Sequence, residues 1–199
     1  ISGEHNVLNS LAACAAADAI GVPLEVASQA LKSFKGAKRR LQHMGSVPAL
    51  GVDIFDDYGH HPREIAATLG TLRKMFPERR LMTVFQPHRF TRTAAMYREF
   101  AEVLSMSDRV FLLPVFPADE SPIEGVSSTL IGDILKQKGH KGFDFCSDME
   151  DVLTKVSANV NEGDVIATIG AGDVSIVGEK IQQRLEGRGV TIDAMAVKA

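Results

Sequence analysis

The chain has 199 residues, 45% of them hydrophobic and 24% charged, with a formal net charge of −3. That composition is ordinary for a globular protein, and the near-neutral charge points to neither nucleic acid nor an anionic membrane. No apolar run approaches the ~20 residues of a membrane span, and the two cysteines, Cys14 and Cys146, share no metal-like spacing and read as small buried residues of a reducing compartment.

No signal peptide is expected. The chain opens at Ile1 in the middle of a motif, so it is expected to be a piece of a longer protein. An Ala-rich helix is predicted over Asn6–Ile20, with Gly21 as its stop, and Pro23 opens a second over Leu24–Phe34. The run Lys35-Gly36-Ala37-Lys38-Arg39-Arg40 then breaks the helical pattern and reads as a linker.

Beyond it, strand and helix patterns alternate. Strands are predicted at Leu41–Met44, Val52–Phe55, Leu81–Phe85, Val110–Val115, Phe143–Cys146 and Val165–Ile169. Helices are predicted at Pro62–Met75, Thr93–Met106, Ser128–Lys138, Met149–Asn159 and Asp173–Arg184. Short Val, Ile, Leu and Phe runs between helices indicate an α/β fold, Rossmann-like, with a mostly parallel sheet flanked by helices. The expected organisation is a helical remnant at 1–36 and an α/β domain at 37–199.

Two polar clusters follow two of these strands. Asp56-Asp57-Tyr58-Gly59-His60-His61-Pro62 follows the second strand, and Gln86-Pro87-His88-Arg89-Phe90-Thr91-Arg92-Thr93 follows the third. In open α/β sheets ligands bind beyond the carboxyl ends of strands. Arg89 and Arg92, three apart at a helix start, can converge on one carboxylate through charge-assisted bonds. Tyr58 and His60 could face a substrate, and Asp57 could accept from ribose hydroxyls. The plainer readings are a helix-capping turn for the first cluster and a surface ion-pair network for the second.

Three further stretches carry weaker signals. Asn6 and Asn9 share a helix face and could read an adenine edge, or simply cap the helix. Arg39 and Arg40 could swing onto nucleotide phosphate or ribose, or form a solvated basic hinge. Gly170-Ala171-Gly172-Asp173 lacks the third glycine of a dinucleotide fingerprint and reads as a tight turn with Asp173 as helix cap. The loop Pro117-Ala118-Asp119-Glu120-Ser121-Pro122 is expected at the same sheet edge, as a contributor to the pocket. No P-loop, metal-spaced ligand set or serine nucleophile elbow is present in the sequence.

Taken in order, Gly3-Glu4-His5-Asn6-Val7-Leu8-Asn9, Arg39-Arg40, the two polar clusters and Gly170-Ala171-Gly172-Asp173 resemble the Mur ligases, across essentially the whole chain. The resemblance implies a three-domain enzyme: an N-terminal domain for a UDP-sugar, a central P-loop ATPase, and a C-terminal Rossmann-like domain that receives the amino acid. Residues 1–36 would be the last helices of the central domain and 37–199 the C-terminal domain.

The implied reaction is ATP-dependent amide formation between the muramoyl carboxylate of UDP-N-acetylmuramate and L-alanine, through an acyl phosphate, in the bacterial cytoplasm. Carried onto this sequence, the resemblance places His5, Asn6 and Asn9 at adenine, Arg39 or Arg40 at the nucleotide phosphates or ribose, and Asp57 at ribose. Tyr58, His60, Arg89 and Arg92 would form the alanine pocket. ATP and Mg would serve the full-length protein, with no metal ligands expected here. The chain alone, without P-loop and UDP-sugar domain, is expected to be inactive. Two alternatives stand: a family member that joins a recycled tripeptide to the same nucleotide sugar, and a non-catalytic nucleotide- or amino-acid-binding module.

Overall fold

The computed structural model describes the backbone of residues 4–34 and 36–196 and the side chains of 6–34 and 36–187. The chain divides into two compact units, Ile1–Lys38 and Arg39–Ala199. The first holds α1 (Glu4–Ala19) and α2 (Leu24–Ser33). Gly21, at φ 84°, ends α1 in the left-handed region, and the Gly21 and Val22 amides return to the carbonyls of Asp18 and Ala17. No described side chain of this unit is buried.

The second unit runs β1 (Gln42–Val47), β2 (Val52–Asp57), α3 (Pro62–Met75), β3 (Leu81–Phe85), α4 (Phe90–Leu104), β4 (Arg109–Leu112), α5 (Thr129–Gln137), β5 (Phe143–Phe145), α6 (Met149–Asn159), β6 (Val165–Ile169) and α7 (Val174–Ala196). The sheet order is β1-β2-β6-β3-β4-β5, parallel except for the antiparallel pair of β1 and β2. That is the mostly parallel α/β sheet the sequence implies.

Side-chain alternation splits the core in two. Leu81, Phe85, Val165, Ala167 and Ile169 pack with Ile65, Leu69, Phe100, Leu104 and Ile131 of α3, α4 and α5. Met82, Val84, Ile54 and Ile166 pack with Val152, Val156, Val177 and Ile181 of α6 and α7. Every residue of β3 and β6 is buried, which is why both read as unbroken apolar runs.

Strand order also locates the site. From β3 the chain steps outward to β4 and β5, then returns through α6 to insert β6 between β2 and β3. Such a reversal opens a crevice at the carboxyl ends of the strands, where open α/β sheets bind ligands.

Several boundaries differ from expectation. β1 is longer than Leu41–Met44 and carries a bulge between His43 and Gly45. β4 stops at Leu112 rather than Val115, because Pro114 has no amide for the ladder. Helix α4 starts at Phe90 rather than Thr93, with Arg89 at φ 75° immediately before it. Helix α7 continues to Ala196, past the expected end at Arg184.

Candidate functional site at the carboxyl edge of the sheet

The loop after β2 is fixed by its two acids. Asp56, 2% exposed, receives Arg39 Nε at 2.8 Å on one oxygen and Thr168 Oγ1 at 2.8 Å on the other. Arg39 also donates to the Gly170 carbonyl at 2.5 Å, so its guanidinium is held inside the sheet edge. Asp57 is buried as well. Its Oδ2 accepts the Leu41 amide and its Oδ1 the Gly59 amide, both at 2.7 Å. Burial pushes the Asp57 carboxyl up, against the opposing amides of Leu41 and Gly59, the Thr68 hydroxyl and the charge of Arg40. Asp57 is therefore engaged in folding the loop.

Tyr58 emerges from this frame and is 37% exposed. The Arg39 and Arg40 guanidiniums lie over its ring at 5.0 and 5.9 Å. Arg40 is half exposed and, besides the Tyr58 ring, lies 3.3 Å from Glu64. Of the adjacent arginines, one is tied into the structure and the other points outward.

His60 and His61 diverge. His61 caps α3: its Nδ1 accepts the Arg63 amide, while Glu64 Oε2 accepts the His60 and His61 amides. His60 turns the other way. Its ring meets Tyr58 edge-on at 5.5 Å and lies 6.0 Å from the ring of His88.

His88 joins the two clusters. It forms a bridge with Phe116, stacks on that ring at 5.5 Å with an 11° tilt, and contacts Arg92. Arg92 Nη1 lies 3.1 Å from the His88 carbonyl and 3.4 Å from its Nδ1. Burial, then the charges of Arg92, His60 and Arg89, hold the His88 imidazole below its ordinary 6.5. That shift favours the neutral form of the His88 imidazole at neutral pH.

Arg89 is half exposed; its amide donates to the Phe116 carbonyl at 2.8 Å, and its Nη1 lies 3.8 Å from Glu120. Glu120 in turn accepts from Thr91, amide at 3.0 Å and hydroxyl at 2.6 Å. The five described non-glycine residues at positive φ are Arg39 and Leu41, in the segment entering β1, and Arg89, Ala118 and Asp119, in the loops after β3 and β4. Such conformations cost about 1–3 kcal/mol each and gather where surrounding structure holds a functional geometry.

The turn after β6 sets how closely the loops approach. A Cβ on Gly170 would lie 2.7 Å from the Gln86 carbonyl, and one on Gly172 2.5 Å from Gln86 Oε1 and 2.6 Å from Phe116. Gln86 Oε1 takes the Val174 amide, the first of α7. The turn thus interlocks with the β3 loop through Gln86.

The second unit therefore brings Tyr58, His60, Arg89 and Arg92 to one edge, with Arg39, Arg40 and Asp57 beside them. Asn6 and Asn9 lie inside α1 of the first unit rather than capping it. The His5 side chain and Gly3 lie outside the described residues. Sequence reasoning left His88 and Phe116 without roles of their own and gave Glu120 only its loop's contribution to the pocket. For His88 the available signal was its place between Pro87 and Arg89 at a strand end.

A family model described as Mur ligase, glutamate ligase domain, matches residues 39–172, spanning both polar clusters and the glycine turn. The chain belongs to the Mur ligase family. A UDP-N-acetylmuramate–L-alanine ligase of Desulfatibacillum aliphaticivorans is 44% identical over 90% of this chain, which covers 39% of that protein. The crystal structure of a UDP-N-acetylmuramate–alanine ligase from Thermotoga maritima matches 94% of the chain with a TM-score of 0.79 and 29% identity, again over 39% of that protein. A murein peptide ligase from Psychrobacter arcticus matches with a TM-score of 0.70 and 26% identity, over 94% of this chain and 38% of that one. The chain thus spans about two fifths of the length of the curated relatives it matches. Among the described residues, no helix is long and apolar enough to cross a membrane.

Proposed function

We propose that this chain is the C-terminal portion of a UDP-N-acetylmuramate–L-alanine ligase, a bacterial cytoplasmic enzyme of peptidoglycan synthesis, and that its second unit receives the amino acid. The observation that carries the reading is the meeting of Arg89, Arg92, His88, His60 and Tyr58 at the crevice where β6 inserts between β2 and β3. Identity with ligases of that name along most of the chain supports it.

Two guanidiniums can hold the alanine carboxylate by charge-assisted bonds. The neutral imidazole of His88 and the rings of His60 and Tyr58 would wall the small side chain. Holding the carboxylate fixes where the amine points, and orientation of this kind is a large part of the catalysis of bimolecular reactions. The amine would then attack the activated muramoyl carbonyl.

On this reading ATP is a substrate. Arg40, outward-facing and weakly tied, suits its phosphates or ribose better than Arg39, which is spent on Asp56 and Gly170. Asn6 and Asn9, with His5, would serve adenine. Asp57 would support a ribose contact chiefly by shaping its loop. Residues 1–36 would be the closing helices of the central ATPase domain. Among the described residues no group of three or more His, Cys, Asp or Glu could hold a metal ion.

The test is phosphate release by the longer protein containing this chain, given ATP and UDP-N-acetylmuramate. Release that depends on L-alanine supports the reading. Release that depends instead on a muramyl-type tripeptide would move the chain to the recycling ligases. Nucleotide or amino-acid binding without release would make it a binding module.

A further inference from the structure

Resting on the reading of the second unit as an alanine-receiving domain, we propose that Glu120 is a positioning residue for the pocket, acting through Arg89. Three observations carry it. First, both Glu120 oxygens are committed to the first turn of α4, Oε2 to the Thr91 amide and Oε1 to the Thr91 hydroxyl. Second, the Arg89 guanidinium sits 3.8 Å from Oε1, within ion-pair range but beyond a hydrogen bond. Glu120 therefore attracts the guanidinium without consuming its N–H donors, which stay available to a second carboxylate. Third, the segment bearing Glu120 is laced to the segment bearing Arg89. Backbone bonds cross between them in both directions, with the Phe116 amide on Pro87 and the Arg89 amide on Phe116, both at 2.8 Å. Ala118 and Asp119, at φ 49° and 66°, turn Glu120 back onto α4.

A half-exposed arginine with no anchor samples many rotamers, and ordering it on binding costs affinity. Glu120 supplies the anchor in advance. It also offsets one of the two pocket cations, leaving a charge balance suited to an amino acid with a single carboxylate.

The experiment is steady-state kinetics of the longer protein with L-alanine, ATP and UDP-N-acetylmuramate. Glu120→Gln should raise the alanine KM about two- to fivefold, the scale of a modest ion pair, with kcat changed less and the ATP KM unmoved. In an Arg89→Ala background the same substitution should add nothing, because contacting residues that act as a unit are non-additive. Should Glu120→Gln fail to fold, Glu120→Asp carries the test, keeping the charge but shortening the reach; its alanine KM should also rise. An unchanged or lowered alanine KM in a folded variant, or full additivity with Arg89→Ala, overturns the proposal. If the unsubstituted protein turns over no L-alanine, the functional reading fails and the proposal falls with it.

Discussion

Arg39 Nε lies 2.8 Å from Asp56 Oδ2, a carboxylate only 2% exposed, while the next residue, Arg40, stays half exposed. Two neighbouring arginines thus do opposite work. Removing one partner of a buried pair strands the other, so Arg39→Ala should destabilise the second unit by about 3 kcal/mol. Arg40→Ala, which breaks a solvent-screened contact, should change stability by less than about 1 kcal/mol. Thermal unfolding of both variants distinguishes them. Equal losses would mean that Arg40 is structural too.

Acid should reach this edge through the cap of α3. Burial pushes the Glu64 carboxyl up, but the His60 and His61 amides, the His60 charge and Arg40 outweigh it and hold it below its ordinary 4.5. A carboxylate depressed on folding contributes stability above its unfolded pKa and loses it as pH falls through the folded one. Stability should therefore drop below pH 4.5, and Glu64→Gln should flatten that part of the curve. A Glu64→Gln variant with an undiminished acid slope would place the sensitivity elsewhere.

His88 reports on the arginine pair. Its imidazole is held below 6.5 by burial and by the charges of Arg92, His60 and Arg89. A carboxylate bound between the arginines offsets that charge and should raise the His88 pKa toward 6.5, readable by NMR titration with and without L-alanine. A titration midpoint indifferent to saturating L-alanine would place the carboxylate away from Arg92.

In the longer protein, Arg89→Ala or Arg92→Ala should each lower kcat/KM for L-alanine by roughly one to two decades, the weight of a charge-assisted hydrogen bond. Lysine should rescue only in part, since it lacks the planar fork. Normal alanine kinetics with lost ATP binding would reassign the pair to phosphate.

The first unit has no buried described side chain, so its amides should exchange fastest, well ahead of β3 and β6. Hydrogen exchange checks this directly. Protection of α1 equal to that of β6 would show a local stability that packing does not explain.

The sheet was legible because its central strands are buried on both faces, and Leu81–Phe85 and Val165–Ile169 carry no polar residue other than threonine. The antiparallel β1 was harder. Gln42-His43-Met44-Gly45-Ser46 lies at the sheet edge, where burial imposes no clean alternation. The site was half legible. Arginine spacing marked Arg89 and Arg92, but nothing local indicates that Phe116 and Glu120 fold back onto them. That depends on β4 lying beside β3, a pairing across 27 residues. Nor could sequence separate the roles of Arg39 and Arg40, because the choice turns on which side chain the buried Asp56 captures.

The glycines after β6 have an evolutionary consequence. They act as a spacer of zero width between the β2 and β3 loops, since even a methyl group at Gly172 would collide with Gln86 and Phe116. The distance between the Tyr58–His60 wall and the His88–Arg92 wall is therefore pinned from below. On the proposed reading, acceptance of a bulkier amino acid would come by trimming the rings of those walls, because a side chain at Gly172 would collide with the β3 loop that carries both arginines.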